Sequence, residues 1–363
     1  MTEKEFLYSY LNAYSPVGQE KEGQKVWLNR IRQYTSNINV DSYGSAWGIL
    51  KTTDPKHLGT NRKVVIEAHC DEIAWIITHI QSDGYIRVDK AGGSDNMIAP
   101  SKTVVIHTSE GNLVKGVFGS PAIHVREKRT DMGPKINELW IDCGFDSDKE
   151  IREAGIEVGN LVTFDTEFSE IGNYWLGKSL DNKIGGYIIA EVLRKIHENK
   201  VNLPYDLYVV NAVQEEVGLY GSRQVAKQIG ADIALVHDVC HNTNHPKMDK
   251  SKDGDIKGGS GPCVEFTSQN HKGIISKIIE TAKSNEIPYQ RTVGSYGNDT
   301  VSFFLENTPT AIIATPLKYM HCTVEMAHKQ DVESAIELFY QTLQNITPEW
   351  IDQIKNPIQS YLQ

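Results

Sequence analysis

Long hydrophobic runs, a basic excess and paired cysteines are all missing from this 363-residue sequence. No stretch approaches the length of a membrane span, and Met1-Thr2-Glu3-Lys4-Glu5 does not open a secretory signal. Lys plus Arg number 37 against 47 Asp plus Glu, a net charge of −10, which argues against a general nucleic-acid binder. The five cysteines (Cys70, Cys143, Cys240, Cys263 and Cys322) are scattered, odd in number and without a CxxC. They form no disulfide framework, and a reducing cytoplasm is the expected compartment. There is no internal repeat and no low-complexity segment. The apolar fraction of 39% is enough for a buried core at this length, in one large domain or two.

One stretch organises the chain. Residues Tyr205 to Val213 form an apolar run rich in Val, which reads as a buried strand, and it ends in Gln214-Glu215-Glu216-Val217-Gly218. Two adjacent carboxylates at the C-terminal end of such a strand repel each other unless a cation or a shared proton relieves them. That end is also where open α/β sheets bind ligands. A solvated pair is the ordinary interpretation, and the neighbouring segments decide against it.

Taken in order, Thr2 and Glu5 make a capping box for a helix through Tyr14, and residues 19–34 read as a second helix. Segments 38–52 and 63–71 read as strands. In the latter, alternation puts His69 and Asp71 on one face and turns Cys70 away, a pattern that suits a metal ligand with its orienting carboxylate and equally a strand-end His with a cap-forming Asp. From 74 to 173 short strands and turns replace the β/α pattern, with one helical piece after Asp146-Ser147, which suggests a small β-domain. His107, His124 and Asp142 fall here and read as structural or surface residues. The β/α pattern resumes at Leu176, so that 1–73 and 174–363 form one discontinuous domain.

Asp181 precedes an amphipathic helix marked by Ile184, Ile188, Val192 and Ile196, where by itself it would read as an N-cap. A helix over 221–229 closed by Gly230, a strand over 232–240 carrying Asp238 and a helix over 271–286 follow. Gly294-Ser295-Tyr296-Gly297-Asn298-Asp299 forms a turn before another helix. A strand over 309–317 then leads to His321, and residues 331–346 form the closing helix. His69, Asp181, Glu216, Asp238 and His321 therefore all fall at strand ends or just beyond. Two His and three carboxylates are a ligand set for zinc, cobalt or manganese, in which one carboxylate can bridge two ions. Glu215 is left beside the metals without being a ligand, the position a general base requires.

The segments His69-Cys70-Asp71-Glu72-Ile73, Ser179-Leu180-Asp181-Asn182-Lys183, Gln214-Glu215-Glu216-Val217-Gly218, Val236-His237-Asp238-Val239 and Tyr319-Met320-His321 resemble, in order and spacing, the M42 family of metallo-aminopeptidases. This family includes the tetrahedral (TET) and glutamyl aminopeptidases and proteins once labelled endoglucanase M. The resemblance extends through Gly111 to His124, which is similar to a glycine-spaced pattern of the family. It implies a mixed β-sheet flanked by helices, zinc-peptidase-like, interrupted by a β-barrel-like insert over 74–173 that mediates dimer contacts. Dimers of this kind often assemble into dodecamers.

For the site, the resemblance implies two divalent ions per chain, zinc first and cobalt or manganese as alternatives. Asp181 would bridge them, His69 and Asp238 would complete one site, and Glu216 and His321 the other. Glu215 would be the base acting on a metal-bound water, and Asp71 the partner of His69. The sequence departs from the family's usual residues at Ala74-Trp75 and at Gly297-Asn298-Asp299-Thr300, and both leave the ligand set intact.

The expected activity is removal of the N-terminal residue from peptides, in the cytoplasm, by a homo-oligomer with no nucleic-acid or membrane partner. A metallo-deacylase or carboxypeptidase of the M20 or M28 type shares the ligand logic and is the alternative. A β-glucan hydrolase would need two carboxyl groups across a sugar bond and no metal.

Overall fold

The computed structural model describes residues 1–59, 62–122, 124, 133–294 and 297–358. Ser295 and Tyr296 of the glycine-bearing turn, and Ile123 of the pattern ending at His124, lie outside these residues. The architecture is a large mixed sheet flanked by helices, with a separate closed barrel. The centre of the large sheet is four parallel strands in the order Asp206–Ala212, Lys63–His69, Ile233–His241, Thr310–Lys318. Because they are parallel, their C-terminal ends share one edge. The antiparallel strands Ile38–Val40 and Ala46–Leu50 extend one side, and Glu325–His328, Tyr174–Gly177 and Ser169–Ile171 the other.

Both faces of the central strands are buried, which is why they read as near-continuous apolar runs. Val64, Ile66 and Ala68 point into one core with Ile184, Ile188 and Val192 of the helix Leu180–Glu198. Val65, Val210 and Val236 point into the other, against Val225 and Phe303 of the helices Tyr220–Ile229 and Thr300–Leu305. Six antiparallel strands between Ala74 and Phe164 close a barrel around Trp75, Ile86, Val104, Ile106 and Phe118. Within it His107 is buried, with Nε2 2.9 Å from Thr163 Oγ1, while His124 is exposed.

Some expected boundaries move. The capping box of Thr2 and Glu5 is present, and its helix ends at Asn12. Segment 38–52 divides into two strands, because Asp41–Ser45 make a turn in which the Asp41 carboxylate accepts three backbone N–H groups. The helix expected to close the chain, Lys329–Gln344, is followed by another, Pro348–Lys355, capped by Thr347 with Pro at its start.

One buried ion cluster fixes the region around the site. Glu72 lies beyond the end of Lys63–His69. Its carboxylate accepts from Ser15 N–H at 2.7 Å, from Lys178 Nζ at 2.8 and 2.5 Å, and from Lys183 Nζ at 3.3 Å. Burial pushes Glu72 up, but the two ammonium groups outweigh it and hold the carboxyl at about 2. Lys178, drawn down to about 8 by burial against the pull of Glu72, is still charged at neutral pH.

Replacing Glu72 with Gln leaves two buried cations without a counter-charge and is expected to cost about 3–5 kcal/mol, read as a lower urea midpoint. A carboxyl depressed from 4.5 to about 2 stabilises the fold above its unfolded pKa and loses that contribution as pH falls. The gap between wild type and E72Q is therefore expected to close between about pH 4.5 and 2. A constant gap across that range would show that the charge of Glu72 is not what stabilises the region.

Candidate metal centre

The parallel edge gathers the site. His69 ends one central strand, Glu215 and Glu216 follow the next, Asp238 sits near the end of Ile233–His241, and His321 follows Thr310–Lys318. Asp181 comes from the start of the long helix, in non-helical backbone (φ −78°, ψ 109°). It does not cap that helix. Asn182 does, its Oδ1 accepting from Gly185 N–H at 3.1 Å, while its Nδ2 donates to the His237 carbonyl at 2.8 Å. The carboxylate of Asp181 is thereby free to face the sheet edge.

The donor atoms fall into two sets, His69 with Glu215 and Asp238, and Asp181 with Glu216 and His321, each within 4.8 Å. Asp181 also joins the two. Its Oδ1 lies 3.5 Å from His69 Nε2 and its Oδ2 3.3 Å from His321 Nε2. Glu216 Oε1 is 3.3 Å from His321 Nε2, Asp238 Oδ1 is 3.9 Å from His69 Nε2, and Glu215 Oε2 is 3.8 Å from the same nitrogen. All five expected ligands and Glu215 line one cavity of about 560 Å³. A larger cleft of about 900 Å³, beside His271 and Trp350, shares none of these residues.

Two fully inward carboxylates, Asp71 and Glu325, hold the backbone of the site. Asp71 accepts from Glu215 N–H and Glu216 N–H, both at 3.0 Å, and stands 3.5 Å from His69 Nδ1. At that length its firm bonds are to the two amides, so it fixes the Glu pair as much as the imidazole. Glu325 does the same for the other half, accepting from Asp181 N–H at 3.1 Å and His321 N–H at 2.8 Å. Ser179, Gln214, Tyr319 and His321 all take positive φ, between 52° and 62°, next to these anchors. Such conformations cost free energy in non-glycine residues and persist where the surroundings over-determine them. Gly93 approaches so closely that an added Cβ would lie 2.5 Å from His321 Nδ1.

Burial and like charge make this cluster of carboxylates costly unless protons or a cation relieve it. Burial pushes Glu215 up to about 10, His69 opposing this and Asp299, Asp238 and Glu216 adding to it. Burial likewise drives Asp238 well up, with Asp181 adding. Hydrogen bonds to Asp181 and Glu216 push His321 up to about 11 despite its burial. Left to themselves, these groups take up protons where positive charge is needed. A dense set of N and O donors of this kind fits divalent ions such as zinc.

Glu325, Glu67, Asn182 and Glu265 also shape the site, and no sequence pattern gives them a role. Glu67 is buried two residues before His69, and burial and Asp299 push its carboxyl well up. Its position inside an otherwise apolar strand was the available signal. Glu325, four residues after His321, had none beyond its spacing. Cys70 is packed in the core and turned from the site, whereas Cys240 lines the cavity without belonging to either donor set.

A model of the M42 glutamyl aminopeptidase family matches residues 52–338. The chain is 28% identical to the lysyl aminopeptidase of Pyrococcus furiosus over 358 residues, covering 96% of this chain and 99% of that relative. A solved aminopeptidase from the archaeon Desulfurococcus kamchatkensis superposes with a TM-score of 0.88 at 29% identity, covering 97% of each chain. A TET peptidase of Pyrococcus horikoshii, which can assemble into a tetrahedron or a large octahedral shell, superposes at 0.80 with 25% identity, over 94% of this chain and 98% of that one.

Proposed function

The chain belongs to the M42 glutamyl aminopeptidase family and is an aminopeptidase hydrolase; from that premise we propose that it releases the N-terminal residue of peptides at a dinuclear metal site, with Glu215 as general base. The observation that carries this reading is the split of Asp181, one carboxylate oxygen toward His69 and the other toward His321. Asp181 would then be the shared ligand, with His69 and Asp238 holding one ion and Glu216 and His321 the other. Zinc is the first choice, and cobalt or manganese suits the same donors. Two such ions, when bound, supply Lewis acidity toward the peptide carbonyl and an acidified water.

The chain's own residues do the rest. Glu215, clamped at its N–H by Asp71, accepts the proton of the attacking water and returns it to the leaving amine. Burial disfavours the bare Glu215 carboxylate, and a dication beside it would offset that penalty and keep it ready to accept a proton. Asp71 and Glu325 keep the reacting groups in place and touch no substrate. The domain division and the assembly belong to the same reading: the barrel inserted at 74–173 serves as a dimer contact, and dimers build a larger homo-oligomer.

The test compares a short peptide with a free N-terminus and the same peptide N-acetylated. Release of the first residue from the free peptide alone supports the aminopeptidase reading. Preferential cleavage of N-acyl amino acids would favour the deacylase alternative.

A further inference from the structure

The cavity that holds the metal centre continues past Asp238 to a carboxylate with no role in the chemistry. The strand Cys263–Glu265 pairs antiparallel with Thr310–Lys318, setting Cys263 against Ala314, and Ala314 is also the partner of Asp238. Glu265, two residues on, therefore shares a sheet face with Asp238, two strands away. It is only 3% exposed, yet it lines the same cavity as the donor set.

The charge of Glu265 has no counter-charge among the described residues. Among the described residues no ammonium or guanidinium pairs with it and no donor bonds to its side chain. Arg223, on the same cavity wall, does not pair with it. Burial alone pushes its carboxyl up to about 7. The backbone presses on it instead: a Cβ on Gly294 would lie 1.7 Å from Glu265 Oε2, so only glycine leaves the carboxylate where it is. A carboxylate buried without a partner is a cost that a stabilising core does not retain. Facing a substrate cavity, it is answered when a ligand brings the cation.

We propose that Glu265 selects the substrate of this site, receiving the side-chain cation of a lysine or arginine at the N-terminus of the peptide. This rests on the aminopeptidase reading above. The cavity suits such a side chain along its length. Val293 and Met320 offer apolar surface to the methylene stem, and Glu265 meets the charged head. Asp253 adds a second negative charge on the wall. Metal ions bound at the donor set would offset the carboxylates there, and Glu265 belongs to neither donor set. An N-terminal glutamate would meet a like charge, and a leucine would leave the carboxylate buried and unpaired.

The experiment measures kcat/KM for lysyl-, arginyl-, leucyl- and glutamyl-p-nitroanilides with zinc-loaded enzyme, wild type and Glu265→Gln. The expected wild-type order is the two basic substrates first and glutamyl last. In E265Q the lysyl-to-leucyl ratio is expected to fall about 10–100-fold, the worth of one charge-assisted bond. Glu265→Lys is expected to raise the glutamyl-to-lysyl ratio. An equal loss on lysyl and leucyl substrates in E265Q would make Glu265 a structural residue and overturn the proposal. So would a wild-type enzyme that cleaves leucyl substrate without preferring lysyl, and that result leaves the aminopeptidase reading standing. No cleavage of any of the four would overturn that reading and the proposal with it.

Discussion

Replacing Glu215 with Gln is expected to lower kcat by about 10²–10⁴-fold, the usual worth of a general base, while metal content stays at the wild-type level. The amide keeps the size and the backbone N–H that Asp71 holds, and loses only the capacity to carry a proton. The two measurements together separate two roles that the geometry leaves side by side. Glu215 Oε2 stands 3.8 Å from His69 Nε2, close to the 3.9 Å of Asp238, an assigned ligand. A base that is not a ligand gives slow turnover with full metal. A ligand gives slow turnover with metal lost. Metal analysis of the purified variant beside its kcat decides between them, and full activity in E215Q would remove the base assignment altogether.

Replacing Asp181 with Ala is expected to be the more damaging change, because one side chain serves both halves of the site. Changing a residue that merely orients a ligand costs about 10–100-fold in metal affinity, and removing a shared ligand is expected to exceed the upper end of that range. Activity should fall with the metal. The loss also strips His69 and His321 of the carboxylate that holds them, at 3.5 and 3.3 Å. Burial raises the pKa of Asp181, and the hydrogen bonds to His321 and His69 outweigh it and lower it, so the wild-type carboxylate is ionised throughout the working range. Metal retention by D181A at two ions per chain would refute the bridging assignment. Circular dichroism on the same sample controls for misfolding.

Residue types at strand ends are the level at which this site is readable in the sequence. The central strands could be found because burial on both faces leaves β-branched runs such as Val64-Val65-Ile66 and Val209-Val210, and parallel pairing then brings their C-terminal ends to one edge. His69, Glu216 and Asp238 follow from that rule. Asp181 did not. Local preference for Asp at an N-cap pointed to an ordinary helix start, and only tertiary contacts assign the cap to Asn182 and free Asp181 for the sheet edge.

Asp71 was legible as a neighbour of His69, but its stronger hold on the amides of Glu215 and Glu216 depends on a contact between residues 144 and 145 positions apart. Glu325 and Glu265 illustrate the same limit. Their spacing carries no period or motif; Glu325 matters through the amides of Asp181 and His321 that it accepts from, and Glu265 through its burial at the cavity. The barrel was recognisable as a β-region from its turns, while its closure depends on pairing between Leu161–Phe164 and two earlier strands, Ala74–Ile80 and Thr103–His107.

The central claim is that catalysis depends on two ions held by this donor set. The most direct measurement strips the enzyme with a chelator, restores zinc in increments, and follows cleavage of an aminoacyl-p-nitroanilide at each addition. The predicted result is no cleavage by the stripped enzyme and a return of activity that completes at two equivalents per chain. Full cleavage by the stripped enzyme would contradict the claim, and a return complete at one equivalent would contradict the dinuclear form of it.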